Sequence, residues 1–299
     1  MRALSHEHAR IDRIEALLHE DVGRNVAVLM AATRGALARA ARGLAGARSV
    51  GIVTGFFVPG GEIPAAETDG PAGAALLARG LTRVGIPCQL LTDASCRDAC
   101  AVALRAAGAG DVPINAVGSA RDLDTALQAW RSAGIDWAVA IERCGRTADG
   151  TLRNMRGADI GAHAMPLDDV FSAGPWRTIA IGDGGNEIGM GALPAGLIAA
   201  HVAHGDRIAC VTPADHLVMA GVSHWGAWGL LAALAVLRAD WRTELLGCLD
   251  PALDQSVLEA MVAHGPAVDG VSLRRVATID SLDLDTHHRK LAAIVAALG

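Results

Sequence analysis

With 299 residues, 52% of them hydrophobic and 19% charged, the chain can bury a large core and lacks the composition of a disordered protein. Its net charge of −6 comes without any basic run, which argues against a nucleic-acid partner, and its longest apolar run, Trp225 to Leu237, is too short to cross a bilayer. The single lysine, Lys290, has no GK[ST] surroundings, so neither a pyridoxal phosphate (PLP) Schiff base nor a phosphate-loop nucleotide site is expected.

In chain order, Ile11, Ile14, Leu17 and Leu18 fall on one helical face of residues 7–20, and an Ala-rich pattern over 25–42 predicts a second helix. An N-terminal helical pair over 1–47 should therefore precede an α/β catalytic domain over 48–299, the two packing as one unit. From Arg48, β-prone runs at 48–53, 86–91, 113–117, 135–141, 177–181 and 207–211 alternate with helical stretches at 71–84, 94–107, 121–133, 187–203 and 224–238. The alternation predicts a mostly parallel sheet sandwiched between helices. Trp225 and Trp228 on the last of these helices are core candidates, with a homo-oligomer interface as their other use.

The six cysteines are scattered without a CxxC pair, and the start MRALSHEHARID carries no apolar region for export. Together these features point to the cytoplasm, without disulfides or a zinc ribbon.

In a parallel sheet, ligands gather beyond the carboxyl ends of the strands, and three polar motifs follow predicted strands here. GDGGNEIGMG (182–191) carries five glycines in ten residues, which lets backbone approach a ligand closely. It is not a dinucleotide fingerprint, because the GxGxxG spacing fails at Glu187 and Asp183 would face a pyrophosphate with like charge. ETDGP (67–71) sets Glu67 and Asp69 two apart before a helix start, where Asp69 could equally be a cap. ERCGR (142–146) places Glu142 at a strand end, with Arg143 and Arg146 suited either to an acidic substrate or to the pocket's own acids. Cys144 is a nucleophile only if an arginine depresses its pKa, and otherwise small packing. No histidine pair has HExxH-like spacing.

If Glu67, Asp69, Glu142, Asp183 and Glu187 converge, each pair about 4 Å apart repels by roughly 4 kcal/mol at an effective dielectric near 20. A divalent cation with oxygen ligands, arginines, or raised carboxyl pKa values would relieve this, with Mn²⁺ or Mg²⁺ favoured over zinc by the carboxylate donors.

TGFFVP…ETDGP (54–71), ERCGRTADGTLRNMRG (142–157), the GDGGNEIGMG loop, VSHWGAWGL (222–230) and VDGVS (268–272) resemble, in this order, the D-glutamate cyclase family, from about Thr54 to the C-terminus. Cys144 departs from the smaller residue expected at its place. The resemblance implies a carbon–oxygen lyase interconverting D-glutamate and 5-oxo-D-proline plus water in a metal-binding acidic pocket. On that basis Glu67, Asp69, Asp183 and Glu187 are assigned to the cation and Glu142 and Glu187 to proton transfer. Thr54, Arg143, Arg146 and Asn186 are assigned to the substrate. The competing readings are a metal-dependent hydrolase of a small acid or phosphate ester, and a non-catalytic amino-acid sensor.

Overall fold

The computed structural model describes residues 2–299, with side chains from His6 onward. Its main sheet holds six strands, β1 (Val50–Thr54), β4 (Cys88–Asp93), β5 (Ile114–Val117), β6 (Trp137–Ile141), β7 (Arg177–Gly182) and β8 (His216–Met219), in the order β5-β4-β1-β6-β7-β8. Every neighbouring pair is parallel. Alternate residues of the central strands serve opposite faces, as a strand's two-residue period requires: Ile52, Val139 and Ile179 join one apolar core, and Val53, Ala138 and Ala180 join the other.

The first core is covered by the long helices Arg2–Leu18, Pro71–Arg83, Ser223–Leu237 and Leu284–Ala296, among others. The second lies under Ala120–Ser132 and shorter pieces. Trp225 and Trp228 are both buried within the chain, which fills the core role considered for them.

The chain moves outward in one direction from β1 through β4 to β5, then returns across β1 to start β6 and moves outward the other way. That reversal opens a crevice beyond the carboxyl ends of β1 and β6, the usual ligand position in such sheets. A second sheet roofs it, formed by β2 (Phe57–Val58), β3 (Ala65–Glu67) and β9 (Ala267–Val268), with β2 antiparallel and β9 parallel to β3. This small sheet, absent from the sequence expectation, brings VDGVS beside ETDGP.

Three expected elements differ. The second N-terminal helix is interrupted into Ala27–Ala32 and Ala36–Leu44, because the Glu15 carboxylate accepts the N–H groups of Gly35 and Leu37 and caps a fresh helix start. The helix expected at 187–203 shrinks to Leu197–His201: the Glu187 carboxylate captures N–H groups of its own loop, and Pro194 interrupts the rest of the stretch. The edge strand is His216–Met219, not 207–211, of which residues 207–208 close a short helix. Leu217 and Val218 bury against opposite cores, whereas Val211 is 51% exposed and could not serve a strand covered on both faces.

Candidate active site

Three acids from separate motifs meet at one residue. Ser223, first in the Ser223–Leu237 helix, donates its backbone N–H to Asp69 Oδ2 (3.1 Å) and Asp183 Oδ2 (3.0 Å), and its hydroxyl to Glu142 Oε2 (2.6 Å). Carboxylate oxygens of Asp69, Glu142 and Asp183 lie within 4.8 Å of one another. The amino end of a 15-residue helix, with its unsatisfied N–H groups and positive dipole end, is the natural seat for such charge.

Each acid is delivered by local geometry. Glu142 follows β6 directly and adopts φ 42, in the sparsely populated left-handed region that costs an ordinary residue free energy and clusters at functional sites. Asp69 caps its own turn by accepting the Gly70 N–H at 2.6 Å. Gly70 is obligatory there: its φ is 82, and a Cβ would stand 2.9 Å from that of Glu142. Asp183 leaves β7, and Glu67 ends β3. Glu67 is buried with Oε1 unpartnered, and it lines a cavity of about 490 Å³ together with Glu142, Asp183 and Asp280.

The counterweight is Arg24. Asp21 accepts the N–H groups of Gly23, Arg24 and Val26, folding the segment between the first helices into a tight loop. From it Arg24 reaches Asp280 Oδ2 at 2.7 Å, Asp183 Oδ1 at 3.5 Å and the Gly221 carbonyl at 2.9 Å. Burial opposes its charge, but Asp183 and Asp280 more than compensate and keep it a cation. One guanidinium does not neutralise the group. Burial first, then mutual repulsion, pushes Glu67 and Glu142 well above the usual carboxylate range. Burial raises Asp183 and Asp280 although Arg24 pulls both down, and burial with the Asp280 charge lifts Asp69 to about 7.

The residues chosen from sequence separate into two groups. Glu67, Asp69, Glu142 and Asp183 converge as described. Glu187 stands just behind them with both oxygens hydrogen-bonded, Oε1 by the N–H groups of Asp183 (2.8 Å) and Gly184 (2.6 Å) and Oε2 by that of Gly185 (2.6 Å), so it shapes the loop that delivers Asp183. Arg143 is wholly buried, paired with Asp93 and donating to the carbonyls of Gly55 and Met165, which removes it from substrate contact. Arg146 is bound bidentately by Asp169 at 2.5 and 2.6 Å, outside the cavity lining. Thr54 donates to the Ile141 carbonyl and Asn186 to that of Arg153, both as struts. Cys144 is buried, and burial pushes its thiol up despite Arg143, so it packs and is no nucleophile.

Sequence reading missed Arg24, Ser223 and Asp280. Asp280, also at positive φ, lies beyond the VDGVS motif, where Asp269 accepts from Val271, Ser272, Thr278 and Ser281 and wraps the loop towards the acids. The Ser223 signal, a hydroxyl opening an apolar helix, was present in VSHWGAWGL.

Among the described residues, two side-chain groups have the proximity to hold a metal ion. In the second, buried Asp254 receives His224 Nε2 at 2.6 Å and His288 Nε2 at 3.0 Å, with His287 Nε2 at 3.6 Å. The Trp225 indole, a donor only, gives its N–H to His287 Nδ1 at 3.0 Å. His287 therefore carries its proton on Nε2 and has no lone pair for a metal there. Burial lowers its pKa to about 3 and keeps it neutral. Burial opposes ionisation of Asp254, yet His224 and the hydrogen bonds hold its carboxyl well below the ordinary range. This is a hydrogen-bonded core device behind Ser223. The Asp69–Glu142–Asp183 group, all hard oxygen donors beside the unpartnered Glu67 Oε1, fits a divalent cation.

Residues 14–295 match the family described as D-glutamate cyclase-like, C-terminal, a match that takes in much of the stretch before Arg48 where no motif was seen. The mitochondrial D-glutamate cyclase of Homo sapiens is 34% identical over 243 residues, covering 76% of this chain and 39% of that protein, so the chain spans about two fifths of the relative. With Arg24 inside the matched region and the acids of ETDGP, ERCGR and GDGGNEIGMG gathered on Ser223, the chain belongs to the D-glutamate cyclase-like family.

Proposed function

We propose that the protein is a lyase interconverting D-glutamate and 5-oxo-D-proline plus water. The observation that carries this reading is the meeting of Glu142 with Asp69 and Asp183 on the Ser223 helix terminus, where Glu142 and Asp183 line a cavity large enough for an amino acid, in a member of this family. An acidic floor attracts the substrate ammonium. Lactam formation then requires that nitrogen as a free base and a γ-carboxyl carbon open to attack.

Glu142 is suited to the proton work, because burial and the neighbouring carboxylates raise its affinity for protons well above that of an ordinary carboxylate. The nitrogen loses two protons overall. Glu142 takes the first from the ammonium, the N–C bond forms at the γ-carbon, and the departing C–O bond breaks as the oxygen is protonated. The second proton follows the same route, so both finish on the released water. Ser223 fixes the Glu142 carboxyl through its 2.6 Å bond throughout. Asp69 and Asp183, with Glu67 at the wall, would hold a Mn²⁺ or Mg²⁺ ion, which supplies Lewis-acid polarisation of the γ-carboxylate when bound.

Six free, buried thiols support a reducing compartment such as the cytoplasm. No described helix is long and apolar enough to cross a membrane. The test is incubation of purified protein with D-glutamate and, separately, 5-oxo-D-proline, with and without Mn²⁺, followed by NMR. Conversion lost in Glu142→Gln supports the proposal, and no conversion in either direction under any metal overturns it.

A further inference from the structure

We infer that Arg156 is the residue that reads the substrate's free α-carboxylate, and so restricts the site to amino acids carrying a second acid group; this rests on the cyclase reading above. Among the described residues, two cations line the acidic cavity, Arg24 and Arg156. Arg24 is fully committed to Asp183, Asp280 and the Gly221 carbonyl. The guanidinium of Arg156 has no hydrogen-bond or ion-pair partner among the described residues, although Arg143, Arg146 and Arg153 in the same motif all do.

The turn that presents Arg156 is built and braced. Asn154 Oδ1 accepts the N–H groups of Arg156 and Ala158, both at 3.0 Å, and the Asn154 backbone pairs with Gly157 and Ala158. Arg153 and Arg207 both clamp the Gly157 carbonyl at 3.1 Å, and Asn186 ties the Arg153 carbonyl to the glycine-rich loop at 2.8 Å. Four polar side chains thus brace the turn that presents a partnerless arginine at the cavity wall. A solvated surface arginine would need none of this support.

The reaction fixes which group it meets. The amine and the γ-carboxyl must both lie at Glu142 because they join there, and the acids of the floor repel any further anion. The α-carboxylate is the one charge left over, and Arg156 is the one lining cation with donors to spare, in the fork geometry that suits a carboxylate. That carboxylate is unchanged between D-glutamate and 5-oxo-D-proline, so the contact is uniform binding that affects KM in both directions and leaves kcat alone.

Arg156→Gln should keep the wild-type melting temperature, since an exposed side chain without partners is lost, and should raise KM for both compounds by about 10-fold to 100-fold with kcat within about threefold. Arg156→Lys should recover part of the loss. Wild-type enzyme should discriminate against D-glutamate α-amide by a similar factor, and Arg156→Gln should not. An unchanged KM in Arg156→Gln, or undiminished discrimination against the amide, overturns the inference while leaving the cyclase reading intact. If wild-type protein turns over neither compound, calorimetric titration of D-glutamate decides: weaker binding to Arg156→Gln supports the anchor, and equal binding refutes it.

Discussion

Replacing Asp69 by Asn should stabilise the protein, and only where the wild-type carboxyl is charged. Burial and the Asp280 charge raise Asp69 from 3.8 to about 7. A carboxyl whose folded-state pKa exceeds its unfolded value favours folding when both states are protonated, below about pH 4, and that advantage is lost as pH rises through 7. Integrated between those values, the penalty is under about 1 kcal/mol at pH 4 and roughly 4 kcal/mol at pH 8. Asn keeps one oxygen for the Gly70 N–H and gives up the second acceptor facing Ser223, a loss of about 1 kcal/mol. The net gain near pH 8 is about 3 kcal/mol, or on the order of 5 °C in melting temperature for a chain this long. Calorimetric melts of both proteins at pH 4 and pH 8, in chelator, read it directly. Destabilisation by the same amount at both pH values would mean that Asp69 is an ordinary satisfied cap and that no electrostatic stress resides in the pocket.

Three further outcomes rest on the same geometry. Arg24→Gln strips Asp183 and Asp280 of their partner, so it should destabilise by about 3–5 kcal/mol at pH 8 and by less at pH 5, where more of the raised carboxyls hold protons; denaturant unfolding at both pH values checks this. Glu187→Gln turns one acceptor oxygen into a donor against the loop N–H groups, costing about 1–3 kcal/mol and displacing Asp183, visible as lost stability together with weakened Mn²⁺ binding in calorimetry. Gly270→Ala places a methyl inside the van der Waals envelope of Glu67 Oε2, and should cut turnover at least about tenfold with a stability change confined to about 1–3 kcal/mol.

Much of the fold was legible because buried parallel strands are apolar on both faces and advertise themselves, as β1, β6 and β7 do. The edge strand was misplaced because RIACV and HLVMAGV are equally apolar on paper, and only packing shows that Val211 faces solvent. The acids of the site were legible for a related reason: a carboxylate following an apolar strand has few structural uses. The arginines were not. Arg143 and Arg146 neighbour Glu142 in sequence, but consecutive residues leaving a strand point in different directions, and each found an aspartate elsewhere, Asp93 at the end of β4 and Asp169 in the short helix Asp168–Ser172. Arg24 is far in sequence from both of its aspartates, in a segment without a motif, and nothing local announces a long-range ion pair.

The protons, Arg24 and the helix terminus are three answers to one electrostatic problem, and they differ in what can leave. The helix terminus is fixed by the fold, in a helix with 14 buried residues. Arg24 is fixed by its aspartates and the Gly221 carbonyl. Protons alone exchange, and their number on Glu67, Asp69, Glu142 and Asp183 is set by whatever positive charge enters the cavity. An incoming ammonium or a divalent cation therefore displaces protons from these acids, and substrate or cation binding near pH 7 should release them to the buffer. Calorimetric titration of Mn²⁺ in two buffers of different ionisation enthalpy measures that release. A binding enthalpy independent of the buffer would show that the cation displaces no protons and that the carboxyls of the pocket are already ionised at neutral pH.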